Sequence, residues 1–228
     1  MLRADQVRVS YGGGQDRVTA LPGVDLSLPA GGRIGLVGPS GSGKSTLALV
    51  LALLLAPDAG RVELDGEPVP GAGLSLPKRL RRRVQLLWQS PRAATDPRLR
   101  LGQLLLEPLA AHRELPPRPD RPELLRRLSE PVGLTPELLR RYPHEVSDGQ
   151  LQRAALARAL ALRPGYLICD EPTAMLDVSS QAGLLATLAE QQRSHGLGIL
   201  LVTHDRLLAD HWCEQVLDLR ELAAEPAG

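Results

Sequence analysis

The sequence predicts an α/β fold, with a mostly parallel sheet and flanking helices, on three observations. Short apolar-rich runs at Arg33–Val37, 84–88, Tyr166–Asp170 and 198–203 have the length and the lack of alternation of strands buried on both faces. Stretches of helical periodicity lie between and after them, giving a repeated α/β order. The first of these strands also runs through a glycine-rich loop directly into a helix, a strand–loop–helix unit.

Taken in order, residues 2–10 alternate apolar and polar side chains and are expected to form an edge strand, closed by the turn Tyr11-Gly12-Gly13-Gly14. A short strand is expected at 24–28, before the turn Pro29-Ala30-Gly31-Gly32. Arg33–Val37 is the buried strand of the loop unit, and the helix after it is expected from 44 to about 55. Pro57-Asp58-Ala59-Gly60 turns the chain into a strand pair near 62–64 and 67–69. The basic run Leu80-Arg81-Arg82-Arg83 reads as a solvated helix end rather than a dedicated anion site. From 101 to about 141 the pattern is helical, with Leu101, Leu104, Leu105 and Leu109 on one face. The proline-rich stretch 116–122 interrupts it as a loop between helices, not as a linker between domains. A helix at about 149–161, the strand Tyr166–Asp170, a helix over Val178–His195 and the strand 198–203 complete the order. No internal repeat is visible, and the tail 223–228 is expected to fray.

Composition narrows the function classes. The 228 residues carry 27 Lys and Arg against 26 Asp and Glu, a formal charge of +1, so no nucleic-acid partner is expected from the total. There is no Phe, and aromatic residues make up 2% of the chain, so aliphatic side chains must fill the core. Each of the aromatics, Tyr11, Trp88, Tyr142, Tyr166 and Trp212, therefore needs a reason, and Tyr166 and Trp212 are expected in the core. The two cysteines, Cys169 and Cys213, lack metal-ligand spacing, suit a reducing compartment and read as small buried apolar residues. The N-terminus has no apolar stretch after Arg3, and the longest apolar run, 47–56, is about half the roughly 20 residues that cross a bilayer. Any membrane role is expected to run through a partner.

The string Gly38-Pro39-Ser40-Gly41-Ser42-Gly43-Lys44-Ser45 fits G-x-x-x-x-G-K-[ST] at every fixed position. From average residue frequencies, such a match arises by chance in roughly one chain in a hundred of this length, and less often between a buried strand and a helix. The chemistry explains the spacing. The glycines let backbone N–H groups curl around phosphates, Lys44 reaches the β- and γ-phosphates, and the Ser45 hydroxyl ligates Mg²⁺. This loop alone leaves kinases, GTPases and ATPases open. Asp170 at the end of an apolar strand can hold Mg²⁺ through water, and Glu171 beside it can polarise an attacking water.

With these residues the chain resembles the nucleotide-binding subunit of ABC transporters over essentially its whole length. Further motifs follow in the family's order: Gln89 at a strand end, Ser147-Asp148-Gly149-Gln150 opening a helix, Ala174-Met175-Leu176-Asp177 past the carboxylates, and His204 after an apolar strand. The resemblance implies one ATPase domain, 1–228. Its P-loop NTPase core has an antiparallel β subdomain and a helical subdomain, about 90–160, inserted between the Q-loop at Gln89 and the signature at Ser147.

The resemblance also implies roles. Tyr11 stacks on adenine, and Gly38 through Thr46 bind the phosphates. Gln89 senses Mg²⁺ and water, Ser45 and Asp170 join it as metal-site residues, and Glu171 and His204 serve catalysis. Ser147, Gly149 and Gln150 meet the ATP held by a second ATPase subunit, identical or paralogous. Transmembrane permease subunits at the cytoplasmic face of the membrane, and indirectly an extracytoplasmic solute-binding protein, are the further implied partners. The strings Arg141-Tyr142-Pro143-His144-Glu145, Trp88-Gln89-Ser90-Pro91, Asp96-Pro97-Arg98 and Glu107-Pro108-Leu109 look like the oligopeptide, dipeptide and nickel importer branch. The alternative is an ABC ATPase outside transport, acting in translation or DNA repair.

Two positions depart from the family pattern. Asp148 stands where glycine is usual, and its carboxylate is expected to point away from phosphate, because a like charge in a dry interface is strongly repelled. Met175 stands where a smaller residue is common, and only local repacking is expected there.

Overall fold

A computed structural model of the chain describes residues 1–224. In chain order its strands and helices are β1 (Leu2–Tyr11), β2 (Val18–Leu28), β3 (Arg33–Val37), α1 (Lys44–Leu51), β4 (Ala59–Leu64), β5 (Glu67–Pro68), α2 (Lys78–Arg81) and β6 (Val84–Leu87). There follow α3 (Leu101–Ala111), α4 (Arg121–Ser129), α5 (Pro136–Leu139), α6 (Asp148–Leu160), β7 (Tyr166–Asp170), α7 (Val178–His195), β8 (Gly198–Val202), α8 (Arg206–Trp212), β9 (Gln215–Asp218) and α9 (Leu219–Ala224). Residues 225–228, part of the tail expected to fray, lie outside the described residues.

The chain divides into two compact units. The first comprises Met1–Leu86, Gly165–Glu171 and the chain from Gln192 onward. It holds a sheet in the order β6-β7-β8-β3-β9, where β3 pairs in parallel with both β8 and β9 and β7 in parallel with β8. Every residue of β8 is buried, as is β7 up to Cys169, which accounts for their unbroken apolar sequences. The parallel register sets Asp170 opposite Val202 and Leu36 opposite Val202 on the other side, so the C-terminal ends of β3, β7 and β8 lie side by side. Open α/β sheets bind their ligands at that end.

The same unit holds a second, antiparallel sheet in the order β2-β1-β4-β5. Residues 2–10 were expected at an edge, but β1 is an inner strand, paired with β2 on one side and β4 on the other. Alternation reports that one face of a strand is buried, not how many of its edges are bonded. β2 is also longer than 24–28, because it reaches back through Pro22 to Val18 at the edge of the sheet, where a strand tolerates proline. α1 stops at Leu51 rather than near 55, and Leu53 takes φ +62°, which breaks the helical path. α8 and β9 follow beyond the last strand that the pattern predicts.

Leucine, valine and isoleucine dominate the core of this unit, among them Leu2, Leu28, Leu36, Leu47, Leu51 and Leu64, each at most 2% exposed. Tyr166 joins them, with its hydroxyl donating to Asp65 Oδ1 at 2.7 Å. Trp212, also expected in the core, is only half-buried, and the Arg33 guanidinium lies 5.2 Å over its ring, a cation–π contact. The basic run after Leu80 is anchored rather than wholly solvated: Leu80 is buried and Arg83 is bonded to Asp65. Cys169 is buried and Cys213 half-buried, both as free thiols. Burial raises both thiols, Cys213 to about 12, so neither is a nucleophile at neutral pH.

The second unit comprises Leu87–Pro164 and Pro172–Gln191. Leu101, Leu104, Leu105 and Leu109 form the buried face of α3 as their spacing predicts. Leu109 clusters with Ala161 and Leu162, against which Leu106, Leu124 and Leu128 pack. Pro122 stands in the first turn of α4, where its missing N–H costs nothing, so the proline-rich loop is shorter than 116–122. Among the described residues no helix is long and apolar enough to cross a membrane.

Candidate active site

The loop after β3 owes its path to glycine. Gly38, Gly41 and Gly43 have φ of +154°, +78° and +100°, and a Cβ at Gly43 would collide with the Ala20 carbonyl. Pro39, Ser40 and Gly41 at the crest are exposed, whereas Lys44, 7% exposed, is folded back under it. Lys44 Nζ donates to the Gly38 and Pro39 carbonyls, both at 2.8 Å. The ammonium therefore props the loop from inside while facing the place where the backbone curls. Ser42 Oγ is buried without a hydrogen-bond partner. Thr46 is buried in α1, and its Oγ1 lies 3.3 Å from the hydroxyl of Tyr11, whose ring is 47% exposed.

β7 brings two carboxylates to the sheet end beside this loop. Asp170 is half-buried, and burial is the main cause that raises its carboxyl above the usual range. The Ser45 hydroxyl and the Lys44 charge oppose that rise and the Glu171 charge adds to it. Asp170 Oδ1 is buried with no hydrogen-bond partner. A buried carboxylate oxygen without a protein partner, beside a serine hydroxyl and an ammonium, has the chemistry of a ligand for a hard divalent cation.

Glu171 follows at φ +45°, a conformation that costs a non-glycine residue energy and persists where its surroundings enforce it. Its N–H donates to the Val202 carbonyl at 2.9 Å, which pins the residue just past the strand. Glu171 Oε2 lies 2.9 Å from Nδ1 of His204, the carboxylate largely buried and the imidazole exposed. Facing a carboxylate oxygen, Nδ1 is the donor of this pair. In the first unit the structure thus gathers Tyr11, the loop from Gly38 to Thr46, Asp170, Glu171 and His204.

The remaining predicted residues belong to the second unit. Gln89 is exposed just beyond β6, next to Trp88 at 40% exposure. Ser147 caps α6: its Oγ accepts from Gln150 N at 3.2 Å, and Gln150 Oε1 accepts from Ser147 N at 3.1 Å, a reciprocal capping box. Gly149 is tightly enclosed, since a Cβ there would stand 3.0 Å from Ser180 Oγ and that side chain would have to give way. Asp148 forms an ion pair with Arg92 at 2.7 Å. Met175, where local repacking was expected, is 60% exposed.

Two residues of this unit escaped the sequence reading. Arg92 is one. Gln152 is the other: at 1% exposure, its Nε2 donates to the carbonyls of Trp88 at 3.2 Å and Pro172 at 3.1 Å. A glutamine on the otherwise apolar buried face of α6 was the signal available, since buried amides are retained where they have partners.

A phosphate loop at the C-terminal edge of a parallel sheet, with lysine, serine and adjacent carboxylates converging there, defines a P-loop nucleotide-binding protein. The chain belongs to the ABC transporter family, whose model matches residues 21–174. It is 41% identical over 204 residues to the di/tripeptide transport ATP-binding protein DppF of Pseudomonas aeruginosa, covering 90% of this chain and 63% of the relative. It is 38% identical over 198 residues to the oligopeptide transport ATP-binding protein OppF of Salmonella typhimurium, covering 87% of this chain and 59% of the relative. The chain thus spans about six tenths of the length of these two curated relatives. Among solved structures it is similar to the ATP-binding cassette MJ0796, in a dimeric post-hydrolysis state bound to ADP and Pi. The TM-score is 0.84 and the identity 26%, over 96% of this chain and 94% of the other.

Proposed function

We propose that this chain is the ATP-binding and ATP-hydrolysing subunit of a peptide importer, acting as one domain over residues 1–228. The observation that carries the reading is the Lys44, Ser45, Asp170, Glu171 and His204 constellation at one sheet end. Tyr11 offers an exposed aromatic face for adenine. The backbone N–H groups of Gly38, Pro39 absent, through Thr46 then surround the phosphates, with Lys44 turning from the Gly38 and Pro39 carbonyls to the γ-phosphate.

Ser45 and Asp170 would hold Mg²⁺, and the orphaned Asp170 Oδ1 fits that role. Bound there, Mg²⁺ would neutralise charge on the phosphate oxygens. Glu171, held in a fixed conformation, accepts the proton of the attacking water. His204 orients that carboxylate through Nδ1 and offers Nε2 toward the γ-phosphate.

Ser147, Gly149 and Gln150 supply the opposite wall of a nucleotide site on a second ATPase subunit, identical or paralogous. The dimeric state of the MJ0796 cassette supports pairing of this kind. Closing and opening of the pair drives permease subunits at the cytoplasmic face of the membrane, with a solute-binding protein outside. The names of DppF and OppF support peptides as the solute, while nickel rests on motif resemblance alone.

The test is to purify the tagged chain from its own membranes and measure ATP-dependent uptake by the reconstituted assembly. Co-purification of permease subunits and uptake of labelled di- or oligopeptides are expected. Capture of ribosomes or DNA-repair proteins instead would establish the non-transport alternative, and uptake of nickel but not peptide would overturn the solute class.

A further inference from the structure

Asp148 places a carboxylate in the first turn of α6, between Ser147 and Gly149, the two residues read above as facing a phosphate. Left alone, it would favour the helix N-terminus and repel any second anion there. It is not left alone. Arg92, three positions beyond Gln89, spends each nitrogen of its guanidinium on the segment that enters this helix. Nε donates to Asp148 Oδ1 at 2.7 Å, Nη1 to the Pro143 carbonyl at 3.0 Å and Nη2 to the Val146 carbonyl at 3.1 Å. A planar fork can span three acceptors in this way, and a lysine ammonium on a flexible stem cannot match it. The base of the fork is itself fixed, since Pro91 is buried and its carbonyl accepts from Thr95 Oγ1 at 2.9 Å.

We propose that Arg92 is a positioning residue of the signature: it draws the Asp148 carboxylate aside and cancels its charge, which makes an aspartate compatible with phosphate recognition by Ser147 and Gly149. The proposal rests on the reading of that signature as the wall of a second subunit's nucleotide site. It also ties the segment after Gln89 to the helix that Ser147 caps, both within one unit of the chain. The departure at Asp148 and the arginine at 92 then form a matched pair, in which the aspartate is tolerated only with the arginine beside it.

The test is a cycle of Arg92→Ala, Asp148→Gly and the double variant, read as KM for ATP and kcat of the full-length protein. An unpaired carboxylate facing a phosphate across a partly dry gap is expected to raise KM about tenfold in Arg92→Ala, whereas Asp148→Gly stays within about twofold of wild type. The double variant is expected to return to within about threefold of wild type, because the charge that needed cancelling is gone. A double variant as impaired as Arg92→Ala would overturn the proposal and leave Arg92 only holding carbonyls. Wild-type KM in Arg92→Ala would overturn it as well. Failure of the wild type to turn over Mg-ATP would count against the ATPase reading instead, and the same cycle read as Mg-ATP-dependent dimerisation then decides: loss in Arg92→Ala that the double variant restores supports the proposal, and equal loss in both overturns it.

Discussion

Replacing Lys44 by methionine keeps the buried stem and removes the ammonium. The side chain is 7% exposed and its Nζ makes two hydrogen bonds of 2.8 Å to the Gly38 and Pro39 carbonyls. Loss of these bonds to a charged donor is expected to cost the fold about 1–2 kcal/mol, since the ammonium takes its own desolvation penalty away with it. Nucleotide binding loses more. The same ammonium must answer the phosphate charge in a pocket that already buries it, and removing one charge-assisted contact of this kind costs about 2–4 kcal/mol. At 1.4 kcal/mol per factor of ten, the Kd for Mg-ATP is expected to rise about 30- to 700-fold. Titration calorimetry measures it, with urea unfolding as the control for the fold. A folded Lys44→Met protein that binds Mg-ATP within about threefold of wild type would refute the role of this loop.

Tyr11→Ala is expected to raise KM for ATP about 5- to 150-fold by removing a stacking surface, while Tyr11→Phe stays near wild type because the bond to Thr46 is a long 3.3 Å; steady-state kinetics decide. His204→Ala is expected to lower turnover about 10- to 100-fold with a smaller loss of ATP affinity, and an equal loss in both would mean that it binds rather than orients. Tyr166→Phe is expected to cost about 1–2 kcal/mol in urea unfolding at neutral pH through the lost bond to Asp65. Burial pushes the Asp65 carboxyl up, but bonds from the chain's amino group and Tyr166, with the Arg83 charge, hold it below the ordinary 3.8. Its contribution is therefore present above that value and lost as pH falls through the folded one, so the gap between wild type and Tyr166→Phe is expected to narrow in acid.

Much of the first unit was legible because its signals are local. The strands Arg33–Val37 and Tyr166–Asp170 have the bounds their apolar runs predict, as does the helix Val178–His195, most of which lies in the second unit. The phosphate loop is a contiguous string whose glycines take the conformations that only glycine adopts cheaply. Adjacent carboxylates after an apolar strand likewise marked Asp170 and Glu171. What failed depends on neighbours. β9 is four residues, Gln215–Asp218, with polar residues at both ends, and it is a strand because β3 offers it a free edge. β1 became an inner strand through β4, which no property of residues 2–10 announces. Arg92 and Asp148 stand 56 residues apart, so their pairing had no sequence signal, although each charge alone was visible. The proximity of His204 to Glu171 follows from the register of two strands, where Asp170 faces Val202, and family resemblance supplied it before geometry could.

The central claim is that Glu171 acts as the base in hydrolysis of ATP bound at the Gly38–Lys44 loop. Its sharpest test is phosphate release under saturating Mg-ATP by wild type and Glu171→Gln, with binding measured on the same samples. Glutamine keeps the size and the hydrogen bond to His204 but cannot take a proton, so release is expected to fall at least about 100-fold while Kd stays within about threefold. A Glu171→Gln protein that turns over ATP at the wild-type rate would contradict the account.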